Sequence, residues 1–223
     1  MTPHQTKAFE TYLRLLQEQS ARFNLTALRD PSSIQSRHFG ESLALLEALE
    51  STGAFGSPAI DIGSGAGFPG LPIKIARPDL SLTVLEATAK KARFIELVVE
   101  TLELSAVTVI HRRAEKLAHE AGHRGVYALA IARAVAPLPT LIELALPFLR
   151  IGGYLAAPKG SAAAREVRAA ENALNICGGE VATMRPLSTG GPGPTPTLVL
   201  VRKVAVTPDA YPRRTGMPGK RPL

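Results

Sequence analysis

Short apolar segments alternate with helical segments from residue 58 onward, and this alternation limits the possible folds more than any other feature of the sequence. Predicted strands lie at 59–62, 82–86, 107–110, 128–132, 154–157, 181–185 and 197–202. Helical patterns lie between them, near 70–76, 89–103, 137–149 and 161–176. Strands that alternate with helices form βαβ units, so we expect an α/β fold with a mostly parallel sheet.

Two helices are predicted before the first strand. Residues 5–21 carry apolar side chains at helical spacing, namely Phe9, Tyr12, Leu13 and Leu16. A second helix is expected to start at Asp30-Pro31, with an apolar stripe at Ile34, Phe39, Leu43, Leu46 and Leu49. We therefore predict a helical N-terminal cap over 1–55, a central domain over 56–205 and a basic tail over 206–223 that belongs to the same globular unit.

Composition excludes several classes of protein. The 223 residues include one cysteine, Cys177, so neither a disulfide framework nor a cysteine-based metal site is possible, and a reducing, cytoplasmic location is expected. The N-terminus lacks the pattern of a signal peptide. The apolar stretch 126–149 contains Arg133, Pro137, Pro139 and Glu143, so it is interpreted as a buried strand and helix rather than a membrane span.

The chain is strongly basic, with a formal net charge of +7. Such a charge favours polyanionic partners, nucleic acid first, although simple solubility is an alternative explanation. The distribution supports the first reading, because no acidic residue follows Asp209. Four cations of the tail are therefore candidates for contacts with nucleic-acid phosphates, namely Arg213, Arg214, Lys220 and Arg221.

Three glycines follow the first predicted strand, in the register Asp61-x-Gly63-x-Gly65-x-Gly67. Glycines at this point permit a tight turn and let a ligand approach the backbone closely. A Walker-type phosphate loop is excluded, because Leu71 follows Gly70 where that pattern requires lysine. The ligand must therefore be recognised in another way.

Two nucleoside cofactors remain possible for this loop. The spacing of Gly65, Gly67 and Gly70 satisfies the dinucleotide pattern, but Pro69 and Pro72 fall where its helix should be under way. The register that begins with an acidic residue fits the S-adenosylmethionine loop of methyltransferases better. There Asp61 can meet the ammonium group of the cofactor or a bound water.

The next two strands end on further candidates for binding a nucleoside. Glu86 ends the second strand, where a carboxylate can accept both ribose hydroxyls of either NAD or S-adenosylmethionine. The string Arg112-Arg113-Ala114-Glu115 follows the third strand, at a turn that borders the adenine in this kind of fold. The five histidines show no metal-binding spacing, so no metal site is predicted.

Several motifs along the chain recur together in one family. They are Asn24-Leu25-Thr26, Arg37-His38-Phe39, DIGSGAGFPGLP at 61–72, Arg133-Ala134, Lys159-Gly160, and Tyr211-Pro212-Arg213 with Gly216, Pro218, Lys220 and Pro222-Leu223. The chain resembles, over nearly its whole length, the bacterial small-subunit ribosomal RNA guanine-N7 methyltransferases, also called glucose-inhibited division protein B.

The resemblance implies a Rossmann-like class I methyltransferase fold, with a seven-stranded mostly parallel sheet, helices on both faces and the N-terminal helical cap. It also implies S-adenosylmethionine as the cofactor. Gly63 and Phe68 would contact this cofactor, and Glu86 would bind its ribose. Ala114 and Glu115 would line the adenine pocket. Arg133 would lie near both the cofactor and the target base.

The substrate implied by the resemblance is one guanine of 16S ribosomal RNA, on naked RNA or on an assembling small subunit. Guanine N7 has a free lone pair and no proton, so no general base is required and Arg133 is expected to position the substrate. Lys159 and the four tail cations, Arg213, Arg214, Lys220 and Arg221, are candidates for binding RNA phosphates, which would make the affinity sensitive to salt. We further expect a monomer without a membrane partner.

Three alternatives stay open. Another RNA or a small molecule is a possible substrate of a related methyltransferase. The chain is otherwise interpreted as a Rossmann-like module that binds RNA or a nucleotide without catalysis, or as a nicotinamide-dependent oxidoreductase. Binding of S-adenosylmethionine would distinguish a methyltransferase from a non-catalytic module. A response to NADH would instead indicate an oxidoreductase.

Overall fold

Seven strands form one sheet at the centre of the molecule. The computed structural model describes residues 1–20, 25, 30–188 and 195–223. Its strands are β1 (Ala59–Ile62), β2 (Leu82–Glu86), β3 (Val107–His111), β4 (Tyr127–Ile131), β5 (Leu149–Lys159), β6 (Gly179–Pro186) and β7 (Thr197–Lys203). They lie in the order β3-β2-β1-β4-β5-β7-β6.

The sheet is mostly parallel. Strands β1 to β5 pair in parallel, whereas β7 runs antiparallel to both β5 and β6. The chain direction across the sheet reverses between β1 and β4, which creates a crevice beyond their carboxyl ends. In open α/β sheets this switch point is where ligands bind.

Helices cover both faces of the sheet. The helices are α1 (Pro3–Ser20), α2 (Pro31–Ile34), α3 (Glu41–Ser51), α4 (Gly70–Ala76), α5 (Ala89–Thr101), α6 (Ala114–Leu117), α7 (Leu138–Ala145), α8 (Ala163–Ala169), α9 (Glu171–Cys177) and α10 (Met217–Lys220). Helices α1 and α3 to α5 share one apolar cluster, and α6 to α9 share another. Successive side chains of a strand point to opposite faces of the sheet and so pack into different clusters, as Leu198 and Val199 of β7 do.

The second helix of the cap is interrupted by a wider turn. The side chain of Asp30 accepts a hydrogen bond from the amide of Ser33 and caps α2, as predicted. Residues Gln35–Gly40 then form a π-helical segment before α3 begins. Ile34 and Phe39, which are five residues apart, are both buried, and this spacing matches the i to i+5 repeat of a π-helix.

Several predicted elements differ in length from the observed ones. The helix expected over 137–149 ends as α7 at Ala145 and continues as a short 3₁₀ turn, Leu146–Phe148, because Pro147 cannot extend an α-helix. The helix expected over 161–176 is divided at Ala170. Strand β5 is 11 residues long, since its amino-terminal half continues beyond the predicted 154–157.

Residues 206–223, here called the C-terminal strap, lie across α6 and α7. The guanidinium of Arg124 donates to the carbonyls of Thr207 and Tyr211, at 2.9 Å each. His119 contacts the carbonyl of Pro212 at 2.8 Å. Within the described ranges, no helix is long and apolar enough to span a bilayer.

Candidate active site

The glycine loop turns sharply at the end of β1. Gly63, Gly65 and Gly67 have φ angles of 67°, 66° and 94°, which lie in the left-handed region that glycine adopts without strain. The amide of Gly63 donates to the carbonyl of Leu85 at 2.8 Å, so the turn is fastened to β2. The three predicted glycines therefore form one loop at the switch point.

Glu86 points into this loop from the end of β2. Its Oε2 accepts a hydrogen bond from the amide of Gly65 at 2.9 Å, and its Oε1 accepts one from Thr88 at 2.7 Å. The carboxylate is only 6% exposed. The two residues that the sequence assigned to one nucleoside site are thus in direct contact.

Asp61 is completely buried beneath the same loop. Its Oδ2 accepts hydrogen bonds from the hydroxyl of Ser64 at 2.7 Å and the amide of Gly70 at 2.8 Å. Its Oδ1 has no hydrogen-bond partner among the described residues. Burial raises the pKa of this carboxyl from 3.8 to about 6, while the two hydrogen bonds oppose the shift.

An aromatic stack supports the loop from the side of the N-terminal cap. Tyr12 stacks on Phe68 with 5.3 Å between ring centroids, and His38 stacks on Phe68 at 4.5 Å. The hydroxyl of Tyr12 donates to the carbonyl of Ala66 at 2.5 Å. The sequence identified Tyr12 only as part of an apolar stripe, because no local pattern reveals a hydrogen bond to a residue 54 positions away.

Arg133 lies after β4 and is held by the N-terminal cap. Its Nη1 donates to the carbonyl of Arg37 at 2.9 Å and to Oε2 of Glu41 at 3.1 Å. Its Nη2 donates to Nδ1 of His38 at 2.9 Å. Burial, together with the charges of Arg133 and Arg37, lowers the pKa of His38 to about 4, so this imidazole is neutral at pH 7 and accepts the hydrogen bond.

A cavity of about 880 Å³ opens beside Arg133. It is bounded on one side by His38 and Glu41 from the cap, and on the other by residues 158–161 at the end of β5. Val135 lines the cavity and lies 3.0 Å from the position of a Cβ on Gly63, so the cavity borders the glycine loop.

Lys159 lies at the far wall of this cavity. Its Nζ donates to the carbonyl of Ala136 at 2.6 Å and pairs with Oε2 of Glu166 at 3.0 Å. The same oxygen of Glu166 accepts from the amide of Leu138 at 2.8 Å. The predicted RNA ligand Lys159 and the predicted substrate residue Arg133 therefore line one cavity.

The residues predicted to line the adenine pocket lie on the β3 side of Glu86, across β2 from the glycine loop and Arg133. The amide of Arg112 donates to the carbonyl of Glu86 at 3.2 Å, which brings the start of α6 close to the end of β2. Ala114 is buried at the start of that helix. The carboxylate of Glu115 accepts from the amide of Gly216 at 2.9 Å and so joins the predicted adenine pocket to the strap.

The four predicted RNA-binding cations of the strap differ in their surroundings. Arg213 pairs with the fully buried Glu143, with Nη2 and Oε2 only 2.6 Å apart, so this arginine holds the strap to α7. Arg214, Lys220 and Arg221 are exposed to solvent. Two residues of the family motif, Asn24 and Thr26, lie outside the described residues, as do residues 189–194.

Comparison with known proteins agrees with this arrangement. A family model described as rRNA small subunit methyltransferase G matches residues 5–192. Ribosomal RNA small subunit methyltransferase G of Chloroflexus aggregans is 47% identical over 223 residues, which cover 100% of this chain and 92% of that protein. The chain belongs to this family. The protein of the same name from Roseiflexus castenholzii is 46% identical and is matched over 92% of its length.

Solved structures agree with the fold of this rRNA methyltransferase G family member. A mutant of MtNAS bound to S-adenosylmethionine is 18% identical, with a TM-score of 0.59, over 90% of this chain and 76% of that chain. The glycopeptide N-methyltransferase MtfA is 16% identical, with a TM-score of 0.56, over 76% of this chain and 96% of that chain. The predicted family and the class I fold are confirmed, whereas the roles of single residues stay predictions.

Proposed function

We propose that the protein transfers the methyl group of S-adenosylmethionine to N7 of one guanine in 16S ribosomal RNA. The observation that carries this proposal is the contact between the Glu86 carboxylate and the Gly65 amide at the switch point of the sheet. Membership of the rRNA small subunit methyltransferase G family supports the RNA substrate.

The residues of the loop fit an adenosyl sulfonium. A Cβ added to Gly65 would meet nothing within 4 Å, so open space lies above the loop. Oδ1 of Asp61 is a buried acceptor without a partner in the described part of the chain, and it suits an ammonium group or a water bound to one. Glu86 offers its two oxygens to the ribose hydroxyls in addition to its present backbone donors, because each carboxylate oxygen can accept more than one hydrogen bond.

The reaction needs orientation more than acid–base chemistry. S-adenosylmethionine supplies an electrophilic methyl group on its sulfonium. Guanine N7 attacks in line and carries no proton, so no residue must act as a base. The chain contributes by holding both reactants in the correct geometry, an effect worth roughly 7–11 kcal/mol in well-oriented reactions.

The substrate side of the site is assigned to the cavity beside Arg133. Duplex RNA hides N7 in its deep major groove, so the target guanine must be unpaired or splayed out. Arg133 can donate a hydrogen bond to the base once its contacts with the cap rearrange. Lys159 lines the same cavity and is assigned to an RNA phosphate next to that base. Arg214, Lys220 and Arg221 extend the positive surface.

We further propose that the protein acts as a cytoplasmic monomer on 16S RNA or on an assembling small subunit. The strongly basic balance of the chain, +7 overall, supports a polyanionic substrate. The strap binds to the body of its own chain, which agrees with a site complete within one protomer.

The test is to incubate the protein with methyl-labelled S-adenosylmethionine and 16S RNA, then to map the modified nucleotide. One N7-methylguanine is expected. Label in proteins or small metabolites, with none in RNA, would overturn the proposal. Calorimetry without binding of S-adenosylmethionine would favour a non-catalytic module, and a fluorescence response to NADH would favour an oxidoreductase.

A further inference from the structure

The cavity beside the glycine loop contains a carboxylate that the methyl-transfer chemistry described so far does not use. Glu41 is the first residue of α3, and its side chain is 19% exposed. It lines the cavity together with His38 and Arg133. One of its oxygens, Oε2, pairs with Arg133 at 3.1 Å, which fixes the carboxylate at the wall of the cavity.

Glu166, the other carboxylate that lines the cavity, has a structural role. Oε2 of Glu166 is bound both by the amide of Leu138 and by Nζ of Lys159. Through these contacts Glu166, on α8, joins the start of α7 to the end of β5. Glu166 is therefore needed to keep the cavity in shape, whereas Glu41 contacts a side chain that is itself expected to move when substrate binds.

We propose that Glu41 selects guanine, by accepting hydrogen bonds from N1–H and N2–H₂ of the target base. This inference rests on the proposed function. A guanine whose N7 faces the glycine loop turns its Watson–Crick edge into the cavity, away from the methyl group. Guanine offers two adjacent donors on that edge, which match the two oxygens of a carboxylate. Adenine presents an acceptor there and is repelled.

The same contact aids the reaction. Methylation of N7 breaks the bond between sulfur and the methyl carbon, and the base acquires the positive charge that the sulfonium loses. The N1–H and N2–H₂ donors become more acidic as this charge develops. Their hydrogen bonds to Glu41 are therefore stronger in the transition state than in the bound substrate, which is the condition for catalysis.

The negative charge of Glu41 also reduces the unfavourable electrostatic effect of Arg133 on the reaction. Arg133 lies in the same cavity, and an unpaired guanidinium would oppose the positive charge that develops on the base. Glu41 lies in the same cavity, so the summed charge of the two side chains is close to zero whether or not their 3.1 Å contact is kept when substrate binds. Arg133 can then donate hydrogen bonds without suppressing the nucleophile.

The test measures single-turnover methyl transfer with saturating protein and cofactor. The RNA carries either guanosine or inosine at the mapped position, since inosine retains N7 and N1–H but lacks the N2 amino group. Wild-type protein should act about tenfold more slowly on inosine, because one hydrogen bond to a charged group is lost. The variant Glu41→Ala should react slowly, and equally so, with both RNAs.

Two further variants complete the design. Glu41→Gln retains an acceptor of similar size, so it controls for folding, and its guanosine-to-inosine ratio should fall below that of the wild type. Glu47→Gln alters an exposed carboxylate of the same helix and should keep the wild-type ratio. Affinity for S-adenosylmethionine should be unchanged in all of them.

An inosine penalty of the same size in the wild type and in both Glu41 variants would overturn the inference, since Glu41 would then act only by holding Arg133. Absence of transfer by the wild type to the guanosine RNA is a different result. It would remove the proposed function, and the selection of guanine with it.

Discussion

Gly65 and Gly67 belong to the same loop, but the space around them differs. A Cβ on Gly65 would meet nothing within 4 Å, whereas a Cβ on Gly67 would lie 2.4 Å from the Tyr12 hydroxyl and 2.7 Å from Leu71. At both positions φ is positive. The open space at Gly65 is the space that the cofactor is proposed to fill, and the crowding at Gly67 is internal packing.

The two glycines should therefore respond differently to substitution. Gly65→Val should weaken binding of S-adenosylmethionine by at least about a hundredfold through steric blockade, at a backbone cost of about 1–2 kcal/mol. Gly67→Ala should lower the free energy of unfolding by about 3 kcal/mol or more, because backbone strain and overpacking add. Calorimetry and urea unfolding measure the two effects. Unchanged affinity in Gly65→Val would mean that the pocket lies elsewhere.

Asp61 should make the stability of the fold depend on pH. Its pKa is raised from 3.8 to about 6, so the folded state holds the proton more tightly than the unfolded state. Stability should consequently fall as pH rises through this interval, by about 3 kcal/mol for this group. Asp61→Asn removes the titration and keeps an acceptor for Gly70 and Ser64.

The matching measurement is urea unfolding of both proteins at about pH 4 and about pH 7. The advantage of the Asn variant should increase toward neutral pH, because other titrating groups cancel in the comparison. Parallel pH profiles of the two proteins would show that Asp61 is not the source of the dependence.

At the scale of elements, the site is built where the cap meets the sheet. The π-helical segment Gln35–Gly40 brings His38 onto Phe68 and directs the carbonyl of Arg37 at Arg133. Directly after Arg133, Ala134 has a φ of 56°, a conformation that costs a non-glycine residue about 1 kcal/mol. Such strain is typical of functional sites, and here it follows the residue expected to position the base.

One of the contacts that hold the strap is an ion pair with a buried carboxylate. Glu143 is fully buried, and Arg213 donates to it from its backbone amide, Nε and Nη2. Arg213→Met should lower the free energy of unfolding by about 3–5 kcal/mol, because the Glu143 charge is left without compensation. Adding Glu143→Leu should restore most of this loss. A double variant no more stable than the single one would contradict this role of the pair.

The order of the elements could be predicted from the sequence, but not every boundary. Periodicity identified all seven strands of the described residues, because the central strands are largely apolar and the edge strand β6 begins with alternating partly buried and exposed positions. It could not predict the break at Ala170 or the extension of β5, which depend on contacts with neighbouring elements. Helices α6 and α10 have only four residues each, too few for a periodic signal.

The candidate site was predictable to a similar degree. The glycine loop and Glu86 follow neighbouring strands, and the carboxyl ends of parallel strands meet at one edge. The pairing of Arg133 with Glu41 was not predictable, since Glu41 is 92 residues away and belongs to the cap. The role of Arg213 in holding the strap was also hidden, because its partner Glu143 looks like an ordinary polar residue of a helix.

At the scale of the whole molecule, positive charge should determine how RNA binds. Arg214, Lys220 and Arg221 are exposed on the strap. Replacing all three by alanine should lower the salt dependence of RNA affinity, with the slope of log K against log salt falling by about 2. Filter binding across salt concentrations measures the slope. An unchanged slope would place the phosphate contacts on other cations.

Cofactor binding at the end of β1 is the claim on which the site, the cavity and the chemistry all depend. The direct measurement is the calorimetric affinity for S-adenosylmethionine of the wild type, Glu86→Ala and the control Glu171→Ala, which alters an exposed carboxylate on α9. Loss of two charge-assisted hydrogen bonds should weaken binding by about a hundredfold or more in Glu86→Ala and leave the control unchanged. A folded Glu86→Ala variant that binds S-adenosylmethionine as tightly as the wild type would contradict the proposed site.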